Sequence, residues 1–202
     1  MVSSHHYIIY RMVKEEILQK TEEYAKQCSK DNEPGHDFSH IQRVRKLAIY
    51  LAEEYQLDTF YVEILALLHD VEDHKLNNGH NVSEFLNTLD LLDSVKDKLV
   101  YILSHLSFSK YPTLPEHFPL IGKIVSDADR LDVIGAIGIA RAFSYGGSHH
   151  RSFEDTLKHF DEKLLVLDQY LYLDKSKEIA TKRMEILRQF YDDFIKEKDF
   201  QN

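Results

Sequence analysis

The 202-residue chain predicts an all-α fold, on three observations. Only 7 glycines and 4 prolines punctuate it, and three of the prolines sit together in 112-PTLPEHFP-119, so breaks are few and long helices are expected. Apolar residues recur at three- and four-residue steps instead of alternating. No internal repeat or low-complexity tract appears. Together these predict one helical domain over residues 1–202, with a motif-bearing core at about 30–145 and a C-terminal helical pair at about 152–200.

The elements follow in order. Between Ile9 and Cys28 the apolar spacing is helical, and it stops at the loop 30-KDNEPGH-36, broken by Pro34 and Gly35. Asp37 or Ser39 can cap the next helix, whose apolar face uses Ile41, Val44, Leu47, Ala48 and Leu51. A third helix starts near Asp58 and is apolar on most sides, so it belongs at the centre. After 76-LNNGHN-81 two helices are expected at roughly 82–91 and 93–108, then the proline-bounded loop. The stretch 118–143 is helical in period and rich in small residues (Gly135, Ala136, Gly138, Ala140 and Ala142), which predicts close helix crossing deep in the structure. A glycine-rich hinge, 144-SYGGSHHRS-152, is expected next. Two long amphipathic helices at about 153–173 and 175–199 close the chain, the first opened by a Ser152/Asp155 variant of the capping box. This last pair could cover the core or form a homodimer face.

Composition narrows the function. With 43% hydrophobic and 29% charged residues the chain is ordinary for a globular protein. A formal charge of −9 argues against holding a nucleic-acid polymer through its phosphates, while leaving room for a small anion at a locally basic or metal-bearing site. The one cysteine, Cys28, excludes an intramolecular disulfide and fits a reducing cytoplasm. The opening MVSSHHYIIYRMVKEE lacks a signal-peptide core, and no run approaches the ~20 apolar residues of a membrane span. A cytoplasmic protein without membrane attachment is expected.

The stretch 64-ILALLHDVEDHK-75 drives an apolar helix into a knot of titratable groups. A buried, unpaired Asp70 would cost several kcal/mol, so it needs a cation. Lys75 or His74 could supply one as a local ion pair; a metal is the other solution. Upstream, His36 and His40 stand four residues apart, and His40 shares a side with Val44 and Leu47. A lone histidine there could equally be a hydrogen-bonded core residue. Downstream, Asp127, Asp129 and Asp132 crowd into six residues, where Arg130 can neutralise one and where Asp127 or Asp132 could be exposed or cap a helix. Asp129 is the best inward carboxylate. Two imidazoles and two carboxylates from three helices suit manganese, iron, cobalt, nickel or zinc better than calcium, and leave coordination positions free for water and substrate.

His40, the doublet His69-Asp70 and the distant Asp129 match in order and spacing the H…HD…D signature of the HD-domain metal-dependent phosphohydrolases. The longer strings GHDFSHIQRV (35–44), LLHDVEDHK (67–75) and DADRLDVIGAIGIARAF (127–143) resemble a small, stand-alone bacterial subgroup whose members look like nucleoside triphosphate pyrophosphohydrolases. The resemblance covers about residues 10–195 and implies an HD-type helical bundle, with His40, His69, Asp70 and Asp129 binding one divalent metal, manganese foremost. Between the motifs, Val133 replaces a frequent alanine and the Gly146–Phe153 segment is shorter than in the relatives.

A divalent metal neutralises anhydride oxygens and lowers the pKa of a bound water from ~16 toward ~7. Asp73, on the third helix three residues after Asp70 and four after His69, projects beside the metal pair and is the expected proton acceptor, its alternative being a solvated helix-end carboxylate. Lys75, Arg43 and Arg130 are candidate phosphate contacts, although either arginine could hold a structural carboxylate. His105 and His36 are candidate pocket residues, while His5, His6, His149 and His150 suit the surface. The expected activity is release of pyrophosphate from a (deoxy)nucleoside triphosphate. The rivals are a phosphomonoesterase or phosphodiesterase on the same site, a non-catalytic metal- and nucleotide-binding module, and a metal-free helical partner-binding protein.

Overall fold

A computed structural model describes residues 4–30, 37–71 and 80–200. The described residues form the helices α1 (Ser4–Cys28), α2 (Phe38–Glu54), α3 (Phe60–Leu68), α4 (Val82–Asn87), α5 (Asp93–Ser104), α6 (Leu120–Asp132), α7 (Gly135–Ser148), α8 (Phe153–Glu162) and α9 (Asp174–Lys198). A 3-10 helix, Leu164–Tyr170, joins α8 to α9, and no strand occurs among these residues. The fold is all-α, as the spacing predicts.

Helix α3 is the centre. Seven of its nine residues are buried, and α1, α2, α5 and α6 pack around it. That burial removes apolar surface at about 25 cal/mol per Å², which is why the most apolar helix takes the middle. Helix α2 turns Ile41, Val44, Ala48 and Leu51 inward, as expected. Its polar edge ties the layers together: Arg45 on α2 donates to Glu22 of α1 and Glu63 of α3 at 2.9 and 2.6 Å.

Several expectations change. Helices α4 and α5 stop at Asn87 and Ser104, short of 91 and 108. At each end side chains take over the carbonyls: Thr88 donates to Phe85, and Ser104 donates to Tyr101, whose oxygen also lies 2.8 Å from His105 Nδ1. The small-residue stretch divides into α6 and α7, because Gly135 turns at φ +74, a value that an L side chain would strain. A Cβ there would also meet the Arg183 side chain of α9 at 3.0 Å. Helix α7 is peripheral; only Gly135, Gly138 and Gly146 are buried in it, and Ala136 and Ala140 face outward.

The glycine-rich hinge is largely helical, since α7 runs on to Ser148 with Gly146 seated against Thr156 of α8. The first of the two C-terminal helices is broken at Lys163 (φ −135, ψ −58). Leu164 and Leu167 are buried three residues apart, the spacing that a 3-10 turn stacks on one edge. Ser152 does cap α8, accepting from Asp155 N at 3.1 Å, but its hydroxyl also donates to the Asp155 carboxylate. No helix among the described residues is long and apolar enough to cross a membrane.

Candidate metal centre

Each candidate ligand is placed by a local rule. Asp37 caps α2, accepting from His40 N at 3.1 Å, which puts His40 in the first turn with its ring turned inward and 1% exposed. Helix α3 ends at Leu68; His69 is its C-cap residue, so His69 and Asp70 project from a helix end. Asp129 and Asp132 stand three apart on α6 and share a face. Asp127 points elsewhere, accepting from Tyr172 N and Leu173 N at 3.0 and 2.9 Å where the chain enters α9.

The donor atoms converge. His40 Nε2 lies 3.2 Å from His69 Nε2, 3.3 Å from Asp70 Oδ2 and 3.4 Å from Asp129 Oδ1. His69 Nε2 lies 3.5 Å from Asp70 Oδ1 and 3.8 Å from Asp129 Oδ1. Donors around an ion bound at ~2.1 Å are separated by roughly 3 Å at right angles and somewhat more in a tetrahedron, so this set fits a transition-metal ion. Mixed nitrogen and oxygen donors fit such an ion better than calcium. His40, His69 and Asp129 form a group able to hold a metal ion, and Asp70 borders it.

Both rings are oriented from behind. His69 Nδ1 lies 2.8 Å from the Ala66 carbonyl and donates to it, which turns Nε2 inward. His40 Nδ1 lies 2.7 Å from Asp132 Oδ2, and Asp132 is in turn held by Arg43 Nε at 2.8 Å and Arg141 Nη1 at 2.7 Å. This is a carboxylate–histidine support of the kind that fixes the tautomer of a metal ligand.

The electrostatics match that design. Burial would depress the His40 pKa, but hydrogen bonds to Asp129, Asp132 and Asp70 outweigh it and lift the ring to about 10. Burial works in the opposite sense on Asp129 and Asp132. Hydrogen bonding to His40 overcomes it in both, joined by the charges of His69 and His40 at Asp129 and by the Arg43 hydrogen bond at Asp132, and both are held below the usual carboxylate range. The acids therefore stay ionised around a site that demands positive charge.

Beside the cluster lies a cavity of about 60 Å³, walled by the 106–109 segment, Arg130, Arg141, Lys163 and Leu167. The sequence-predicted residues divide here. His40, His69, Asp70 and Asp129 come together. Arg43 forks onto Asp132 with Nε and Nη2, so it buttresses His40 and does not line the cavity. Arg130 reaches the cavity wall, yet its guanidinium donates to the Tyr170 and Pro112 carbonyls and sits 5.2 Å from the Phe108 and Tyr172 ring centres. It fastens the 106–112 segment to the C-terminal part. His105 packs on Tyr101, Tyr111 and Phe118 and is not among the cavity-lining residues.

Asp73, Lys75 and His36 lie outside the described residues. Sequence reasoning missed the roles of Asp132 and Arg141, which are buried or nearly so around His40. The signal available for Asp132 was its three-residue offset from Asp129. The expectation that Asp127 or Asp132 is exposed is overturned, because both are buried with partners that satisfy them.

An all-helical bundle carrying H…HD…D donors at one point defines the class of metal-dependent phosphohydrolases. The comparisons agree. The chain is 39% identical over 170 residues to Bacillus subtilis YpgQ, covering 79% of this chain and 83% of that protein. The crystal structure of YpgQ in complex with ADP superposes with a TM-score of 0.78 at 32% identity, covering 92% of this chain and 96% of that one. An HD-superfamily hydrolase from Bacillus thuringiensis superposes with a TM-score of 0.72 at 34% identity, covering 92% and 98%. No family model matches the chain. The chain belongs to the HD superfamily of hydrolases.

Proposed function

We propose that the protein is a nucleotide pyrophosphohydrolase that cleaves a (deoxy)nucleoside triphosphate between its α- and β-phosphates, with His40, His69, Asp70 and Asp129 holding one divalent metal, manganese foremost. The observation that carries the reading is the convergence of His40, His69 and Asp129, whose donors lie 3.2–3.8 Å apart, with Asp70 oxygens 3.3 Å from His40 and 3.5 Å from His69 and with His40 oriented by Asp132. When bound, such an ion neutralises phosphate oxygens and acidifies a water. A relative that binds ADP supports a nucleotide as the occupant.

The chain's own residues have separate tasks. Asp132 and the Ala66 carbonyl keep both imidazoles aimed inward. Asp73, three residues past Asp70, is proposed to accept the proton of the attacking water. Lys75 and His36 are proposed to contact the phosphates. Leu106, Val133 and Leu167 supply the apolar part of the cavity wall beside the reacting centre.

A panel of nucleoside mono-, di- and triphosphates with manganese, cobalt, nickel, magnesium and zinc, reading both products, tests this. Pyrophosphate plus a monophosphate is expected. Orthophosphate plus nucleoside would instead assign a phosphomonoesterase, and no turnover with any metal would assign a binding module.

A further inference from the structure

Among the described residues that line the metal cavity, Leu106, Ser107, Phe108 and Ser109 form the longest run that no helix carries. They open a strap that stays outside helical structure until Leu120. Leu106, Leu114 and Phe118 are buried, and residues 109–113 between the first two are exposed.

A buried guanidinium holds that exposed span. Arg130, 2% exposed, donates from Nη2 to the Pro112 carbonyl of the strap at 3.0 Å and from Nη1 to the Tyr170 carbonyl. Its guanidinium carbon lies 5.2 Å from the ring centres of both Phe108, in the strap, and Tyr172. The planar fork of donors is what lets one side chain tie two separate segments together. The Tyr172 hydroxyl adds a second tie, accepting from Leu114 N at 2.7 Å. The 170–173 link is itself fixed to α6, because Asp127 accepts from Tyr172 N and Leu173 N. Asp127 and Arg130 are three residues apart on α6, and Asp129 lies between them in sequence. One stretch of α6 thus carries both a candidate ligand and the fastening of the cavity wall.

The cluster is reached from the cavity side. The side chains of His40, His69 and Asp70 are 1%, 3% and 10% exposed, against 27% for Asp129, which lines the cavity. An ion moving to or from the donors by way of Asp129 therefore passes the strap.

On the strength of the metal site proposed above, and whatever phosphate substrate it serves, we infer that Arg130 and Tyr172 are positioning residues that pin the 106–114 strap beside the donor set, so that local release of the strap sets how fast a divalent cation enters and leaves. Neither residue supplies a donor atom to the ion.

Stopped-flow loading of cobalt and its release to a chelator, with amide hydrogen exchange of the strap, test this on wild type, Tyr172→Phe and Arg130→Lys. Tyr172→Phe keeps the ring on Arg130 and removes the hydroxyl that receives Leu114 N, while Arg130→Lys keeps the charge and loses the fork. Loading and release are both expected to quicken, about threefold in Tyr172→Phe and about tenfold in Arg130→Lys, and the strap amides should exchange faster. The cobalt dissociation constant should stay within about twofold of wild type, since opening a route changes both rates alike. A strap that serves stability alone would leave both rates unchanged, and a displaced Asp129 would speed release without loading and weaken cobalt binding. Either result overturns the inference, as do strap amides that exchange as in wild type. If Arg130→Lys does not fold, Tyr172→Phe decides by the same readings. Wild-type protein that takes up no cobalt would instead sink the proposed metal site, and the control of ion exchange with it.

Discussion

Asp132 Oδ2 lies 2.7 Å from Nδ1 of His40, and the same carboxylate is gripped by Arg43 and Arg141. Three helices thus meet behind one imidazole. Replacing Asp132 by Asn keeps the shape but removes the charge that orients His40 and anchors two arginines. Metal affinity is expected to fall 10- to 100-fold with the fold retained. Titration with manganese, monitored beside a thermal melt, measures both. An unchanged affinity would mean that the support does not act on the metal.

Asp127 makes the opposite kind of contribution. Its carboxylate is fully buried and satisfies Tyr172 N and Leu173 N at the entrance to α9. Asp127→Ala leaves two buried donors unpaired and is expected to cost about 2–4 kcal/mol of stability. Metal stoichiometry should stay that of wild type. Denaturant unfolding and metal analysis on the same preparation check the two halves.

Gly135 is the pivot between α6 and α7, at φ +74 and with Arg183 against its face. Gly135→Ala is expected to destabilise by about 1–2 kcal/mol through left-handed strain, more if Arg183 cannot give way. Since Arg183 also donates to the Leu131 carbonyl at the end of α6, the melt should lose cooperativity before metal binding is lost.

Burial pushes the Cys28 thiol up, against a weaker pull down by a hydrogen bond with Tyr24. A thiol whose folded pKa exceeds its unfolded value of ~8.5 contributes stability that is fully present below that value. The contribution is lost as pH rises through the folded pKa. Stability should therefore decline on the alkaline side, and Cys28→Ala should flatten that decline. Thiol-reactive dye at pH 8 should label the native protein slowly and the unfolded protein at once.

Much of this architecture was legible because burial follows periodicity. Helix α3 reads as central from Val62, Leu65 and Leu68 with Ile64 and Leu67, and α2 reads from its inward stripe. The candidate metal cluster was legible because His40, His69, Asp70 and Asp129 are costly residues in apolar surroundings and fall in the order and spacing of the H…HD…D signature. What escaped depends on tertiary partners. Nothing near Arg130 in the chain foretells the carbonyls of Pro112 and Tyr170, and nothing near Arg141 foretells Asp132 behind His40. The helix through 144-SYGG likewise needs Thr156 of α8 to receive Gly146, and the break at Lys163 needs the core to bury Leu164 and Leu167.

Four side chains from α2, the end of α3 and α6 are proposed to make one metal centre. Elemental analysis of purified protein, wild type against His69→Ala, tests it most directly. Close to one divalent ion per chain is expected in wild type and almost none in a folded His69→Ala protein. A wild-type protein that takes up no metal from manganese-, cobalt- or nickel-containing buffer, or a variant that keeps its metal, would contradict it.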